Sequence, residues 1–154
     1  MRPWKTLDAE TMADGQALVL QERDGVFAIR IGGQELMSSA RHGSEDAMAQ
    51  AALDERGGAA QEVLVGGLGL GYTLRAALER LPASGRIVVV EIAQPVVKWN
   101  RGPLARLAGA PLEDPRVTVE VDDIGHFVAA TDLRFDAILL DVDNGPSALF
   151  RRGN

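Results

Sequence analysis

The 154 residues, 46% hydrophobic and 25% charged, suffice for one packed domain of ordinary size with a small appendage. A net charge of −6 argues against nucleic acid as a general partner, and the absence of cysteine removes disulfides and thiolate chemistry together. With His42 and His126 as the only imidazoles no metal site is expected, and neither a basic-then-apolar leader nor an apolar run of membrane length is present, so the default is a cytoplasmic protein without a membrane partner.

Residues 17 to 38 read as a small β-meander. Leu18-Val19-Leu20 and the run from Val26 to Ile31 flank Asp24-Gly25, a strong tight-turn signal, and Gly32-Gly33 turns the chain into Glu35-Leu36-Met37. Ser44 is placed to cap a leading helix over 44–57, with Glu45 and Asp46 suited to the positive end of its dipole and Gly57-Gly58 as its stop. The expected division is therefore a meander over 1–43 and a nucleoside-binding domain over 44–154.

From residue 61 the pattern alternates strand and helix. An apolar strand, Glu62 to Val65, runs into Gly66, Gly67, Gly69 and Gly71, and then into a helix with Leu74, Leu78 and Leu81 at helical spacing, ended by Pro82. A second strand, Arg86 to Ile92, is almost wholly apolar, as a strand buried on both faces should be. Pro95 suits the first position of the next helix, which Pro103 limits or kinks. A third strand covers Arg116 to Val121, a helical turn surrounds Phe127, and a fourth strand runs from Phe135 to Leu140, ending in Asp141. This order predicts an α/β fold with a doubly wound, mainly parallel sheet of Rossmann-like type.

In such sheets ligands bind beyond the carboxyl ends of the strands. The first strand presents glycines spaced G-x-G-x-G, whereas the dinucleotide spacing G-x-G-x-x-G requires glycine where Tyr72 stands. That difference points away from NAD and toward S-adenosylmethionine or a relative of it. Glu91, 20 residues past Gly71, stands near the place of a ribose-binding carboxylate; a helix-capping or solvated acid is the alternative. Asp123 is placed to accept from the exocyclic amine of adenine, with an ordinary acidic turn as its alternative. Asp141, at the end of an apolar strand, is the best catalytic candidate, because a charge there needs a partner.

With Asp141 the chain resembles the spermidine synthase (polyamine aminopropyltransferase) family, a branch of the class I methyltransferase-like fold. The resemblance rests on Gly66, Gly67, Gly69 and Gly71 for the glycine loop, on Glu91 in Val90-Glu91-Ile92, on Asp123, and on Asp141-Val142-Asp143-Asn144-Gly145-Pro146 followed by Ser147-Ala148-Leu149-Phe150. It implies a small β-domain before the nucleotide domain, matching Leu18 to Met37, and decarboxylated S-adenosylmethionine or S-adenosylmethionine as co-substrate. It further implies Asp141 as the catalytic residue and Asp143 and Asn144 as substrate-binding residues, with a small-molecule amine and a second copy of the chain as partners. The departures fall on the amine side. Gly69 stands where the family carries an Asp, Asn144 replaces the second loop aspartate, and the family's Tyr-Gln or Tyr-His pair falls near Glu45-Asp46 while Tyr72 is the only tyrosine.

The resemblance also implies strands in the order 3-2-1-4-5-7-6, of which this sequence supplies the first four in chain order. The methyltransferase-type sheet is thus expected to be incomplete, with the apolar strand Phe135 to Leu140 at an edge, and either truncation or cover by a second chain is expected. The implied reaction is attack by an amine on the methylene carbon beside the sulfonium, with Asp141 orienting the ammonium and taking its proton. An S-adenosylmethionine-dependent methyltransferase acting on a small molecule, and a catalytically silent nucleoside-binding or assembly module, remain as alternatives. His42 and His126 read as a loop and a surface helix position, and Trp99 as packing. Ser38, Ser39 and Ser44 lack a paired base, and nothing requires Arg41 to contact a ligand.

Overall fold

The computed structural model describes residues 1–54 and 61–141. The chain divides into two compact units, one containing residues 1–42 and the other residues 43–141.

The first unit is an antiparallel meander of β1 (Lys5–Thr11), β2 (Ala17–Arg23), β3 (Val26–Ile31) and β4 (Gln34–Ser38), hydrogen-bonded in that order. Between β2 and β3, Asp24 and Gly25 take φ of 51° and 82°. Two successive positive φ values give the turn whose twist matches the paired strands. Leu18, Leu20, Ala28, Ile29 and Ile31 are buried and form the unit's core. The apolar pattern starts the meander at residue 17, and the structure adds β1 before it. That strand has no fully buried residue, and its register shifts between Thr6 and Asp8, so it carries no alternating apolar signature. It is held by backbone pairing to β2, an interaction that composition does not reveal.

The second unit opens with α1 (Ser44–Leu53) and continues through β5 (Glu62–Gly66), α2 (Tyr72–Arg80), β6 (Arg86–Glu91), α3 (Gln94–Asn100), β7 (Val117–Val121), α4 (Ile124–Ala130) and β8 (Ala137–Leu140). All its strands are parallel, in the order β7-β6-β5-β8. In chain order these are the third, second, first and fourth strands of the unit, the order that the resemblance implied. β5 lies between β6 and β8, and Val63, Leu64 and Val65 are fully buried. The continuous apolar run is therefore explained by a strand covered on both faces. β7 and β8 are the edges among the described residues, and Val121, Ile138 and Leu140 are half exposed there.

The helix ends follow local chemistry. Leu81 turns extended before Pro82, which closes α2, and Pro95 occupies the start of α3. The Arg116 guanidinium donates to the carbonyls of Leu78 and Leu81 at 3.1 and 2.8 Å, supplying the donors that a helix C-terminus lacks. Asp114 holds that guanidinium at 2.8 and 3.0 Å, and the bond keeps its carboxyl below the usual range. The start of α1 differs from expectation. Gly43, at φ 136°, occupies the cap position instead of Ser44, and its N–H donates to the Glu45 carboxylate at 2.5 Å. The Glu45 side chain can reach back across the turn, which leaves Ser44 inside the first turn of the helix. α1 ends at Leu53; Arg56, Gly57 and Gly58, where the sequence placed its end, lie outside the described residues. Among the described residues no helix is long and apolar enough to cross a membrane.

Candidate functional site

The carboxyl ends of β5, β6, β7 and β8 carry the residues singled out from the sequence. Gly66 closes β5 beneath two neighbours. A Cβ there would stand 2.9 Å from Leu140 Cδ2 and 3.1 Å from Ile124 Cγ1, so a side chain at this position would require the Leu140 and Ile124 side chains to shift. Beyond it the backbone alternates into the left-handed region, with φ of 98° at Gly67, 52° at Gly69 and 90° at Gly71. The G-x-G-x-G spacing is the imprint of that alternation. At Gly71 space is short as well, because a Cβ would meet Asn100 Oδ1 at 3.1 Å.

Glu91 ends β6 and is 8% exposed. Its Oε1 accepts the N–H groups of Leu68 at 3.0 Å and Gly69 at 3.3 Å, and its Oε2 accepts that of Ala93 at 2.9 Å. The loop amides thus turn inward onto a carboxylate. A loop that holds a pyrophosphate presents its amides to the ligand. In this loop two of them are spent on an acid, and that acid opposes a second anion. Gly67 N–H is bonded to Val90 O at 2.8 Å and Gly71 N–H to Leu68 O at 2.9 Å, so the turn is closed on itself.

From the other side Asn100, 3% exposed at the end of α3, donates through Nδ2 to Gly69 O and Val96 O, both at 2.8 Å. The sequence reading passed over Asn100. Its only local signal is its place four residues after Val96, on the same face of α3 as that buried valine. Trp99 beside it is 1% exposed and packs in the core, as expected.

Asp123 follows β7 and is the N-cap of α4, accepting the His126 N–H through Oδ1 at 2.9 Å. This is the local, structural alternative for Asp123, and it engages one of its two oxygens. Its neighbour Asp122 donates its N–H to Glu91 O at 3.1 Å, which sets the ends of β6 and β7 side by side. The Asp122 carboxylate faces His126 Nδ1 at 2.8 and 3.0 Å. That contact holds the Asp122 carboxyl below its ordinary value and raises His126 above 6.5, hydrogen bonding being the first cause in both. His126 is a surface helix position, with its side chain 72% exposed.

Asp141 follows β8 beside the loop. Its N–H donates to Gly66 O at 2.8 Å, and its Oδ2 accepts the Thr73 hydroxyl at 2.5 Å. Sequence reading required a partner for Asp141 and did not identify Thr73. Tyr72, at the first residue of α2, has its phenol raised by burial and then by the negative charge of Glu45. Asp143 and Asn144, expected on the amine side, lie outside the described residues, as does the run from Gly145 to Phe150. Among the described residues no group of three or more His, Cys, Asp and Glu side chains could hold a metal ion.

The spermine/spermidine synthase domain model matches residues 43–152. A polyamine aminopropyltransferase of Bacillus subtilis is 34% identical over 96 residues, which are 60% of this chain and 34% of that protein. Polyamine aminopropyltransferase 1 of Pseudomonas aeruginosa is 38% identical over 84 residues, 54% of this chain and 29% of its own length. The chain therefore spans about a third of the length of these curated relatives. The crystal structure of a spermidine synthase from Thermotoga maritima superposes with a TM-score of 0.76 at 20% identity, covering 94% of this chain and 49% of that one. At that identity the likeness concerns the fold.

Proposed function

This chain belongs to the spermine/spermidine synthase domain family, and we propose that it carries the nucleoside side and the base of a polyamine aminopropyltransferase. The co-substrate is decarboxylated S-adenosylmethionine, and the acceptor is a small polyamine. One observation carries the reading beyond family membership. The Leu68 and Gly69 amides are bonded to Glu91, so the loop offers a negative edge, suited to a sulfonium nucleoside and opposed to a phosphate.

Gly66, Gly67, Gly69 and Gly71 let the nucleoside approach the backbone closely. A carboxylate has about four lone-pair directions, and the three bonds to Glu91 leave one for a ribose hydroxyl. Asp123, with Oδ1 on the His126 N–H, offers Oδ2 to the adenine amine. Asp143 and Asn144 are the proposed contacts to the acceptor amine. Near neutral pH an alkylamine of pKa ~10 is protonated and must lose a proton before it attacks. Asp141 takes that proton, directly or through water. The amine lone pair then forms a bond to the methylene carbon beside sulfur, the C–S bond breaks with its electron pair on sulfur, and neutral methylthioadenosine leaves. Holding amine and carbon in line supplies much of the acceleration.

The test gives the protein decarboxylated S-adenosylmethionine with putrescine, and separately S-adenosylmethionine with the same amine. Release of methylthioadenosine from the first, abolished in Asp141→Asn, is the expected result. S-adenosylhomocysteine from the second would identify a methyltransferase. A protein that binds methylthioadenosine in a calorimeter but turns over neither donor would be a binding module.

A further inference from the structure

We infer that Thr73 is a positioning residue for the reaction, a buried hydroxyl that fixes the plane of the Asp141 carboxylate and keeps it an acceptor. The inference rests on the reading of Asp141 as the base. Thr73 lies in the first turn of α2 and is 1% exposed, while Asp141 follows β8, 68 residues later. Their separation of 2.5 Å falls in the short range of an O–H donor on a carboxylate, where charge assists the bond.

Three features make this contact a device for orientation. A threonine has a single hydroxyl proton, and Thr73 commits it to Asp141. Thr73 is 1% exposed in the first turn of α2, so the hydroxyl is presented to Asp141 from a buried helical position. Asp141 is also anchored through its own backbone, by the 2.8 Å bond to Gly66 O at the mouth of the glycine loop. The aspartate is thus held at the main chain by β5 and at the carboxylate by α2, the two elements that the loop joins. A carboxylate fixed this way cannot swing away from the nucleoside side, and a bond donated to its charged form favours that form.

Thr73→Val keeps the shape and removes the donor, while Thr73→Ser restores the donor. The expected result for Thr73→Val is a fall in kcat of about tenfold to a hundredfold, the scale of a misplaced reacting group. KM for the nucleoside should hold within about twofold of wild type, since the principle at work is orientation and not ground-state binding. The acid limb of the kcat profile should move to higher pH, and Thr73→Ser should recover most of the rate. A second readout needs no turnover. In a carbon-13 titration the Asp141 carboxyl midpoint should be higher in Thr73→Val than in wild type or Thr73→Ser.

Equal rates and equal midpoints in wild type and Thr73→Val would overturn the inference. A parallel loss of kcat and nucleoside binding that serine does not rescue would do so too, since it marks a packing role. If the wild type releases no methylthioadenosine, the proposed function fails and the positioning role falls with it, and the carboxyl titration then reports only whether Thr73 donates to Asp141. If valine unfolds the chain, Thr73→Ala against Thr73→Ser supplies the same comparison.

Discussion

Two parts of the site carry acids at strand ends and are fixed in opposite ways. The loop from Gly67 to Gly71 is tied from one side by Glu91 and from the other by Asn100, both buried and both bonded to the loop backbone. The start of α4 rests on Asp123 and on the Asp122–His126 contact, and α4 has no buried residue. Polar bonds in a buried setting are strong and costly to break, whereas exposed caps and ion pairs contribute little and respond to the medium. The glycine loop is therefore a rigid template, and the Asp123 end is an adjustable one.

The contrast breaks first at Glu91. Glu91→Ala leaves the amides of Leu68, Gly69 and Ala93 without their acceptor, and an unsatisfied buried donor costs about 1–3 kcal/mol. Allowing for water entering the gap, we expect a loss on the order of 3 kcal/mol in a denaturant melt, with nucleoside binding abolished. If binding vanished while stability held, Glu91 would serve the ligand alone and the loop would be held by other bonds. At the other end, Asp123→Ala removes one cap and should cost only about 1 kcal/mol, with Asp123→Asn close to wild type. Equal losses for Glu91→Ala and Asp123→Ala would erase the distinction between template and adjustable end.

The same contrast governs what could be read in the sequence. The order of strands and helices was legible because apolar runs such as Val63-Leu64-Val65 report burial on both faces of a parallel strand. The acids were legible as strand-end residues, and the G-x-G-x-G spacing as a turn. The direction of the loop amides was not legible, because it depends on a carboxylate 22 and 23 residues further on. Asn100 and Thr73 escaped for the same reason: their partners lie 31 and 68 residues away, and neither stands in a motif. Local chemistry also misled at Ser44, where a good capping residue was displaced by Gly43 once Glu45 could reach back to its N–H. Periodicity reports faces and ends; polar contacts between distant elements appear only when the chain is folded.

The smallest effect, and the one that tests the adjustable end most directly, comes from pH. His126 is raised by Asp122, so its contribution is fully present below the unfolded value near 6.5 and fades as pH rises through the folded value. Asp122 is lowered by His126, so its contribution is present above the ordinary 3.8 and fades as pH falls through the lowered value. Both therefore operate together between about pH 4 and 6.5. Asp123 adds its charge to the field at His126, while the exposure of the imidazole lets salt screen all of it. We expect the melting temperatures of wild type and His126→Gln to differ at pH 6 in low salt, and to converge at pH 9 or in high salt. The Glu91→Ala deficit should stay nearly constant across the same change in salt, because buried bonds are screened much less. A gap between wild type and His126→Gln that survived both pH 9 and high salt would mean that His126 acts through packing, and the start of α4 would then be as rigid as the loop.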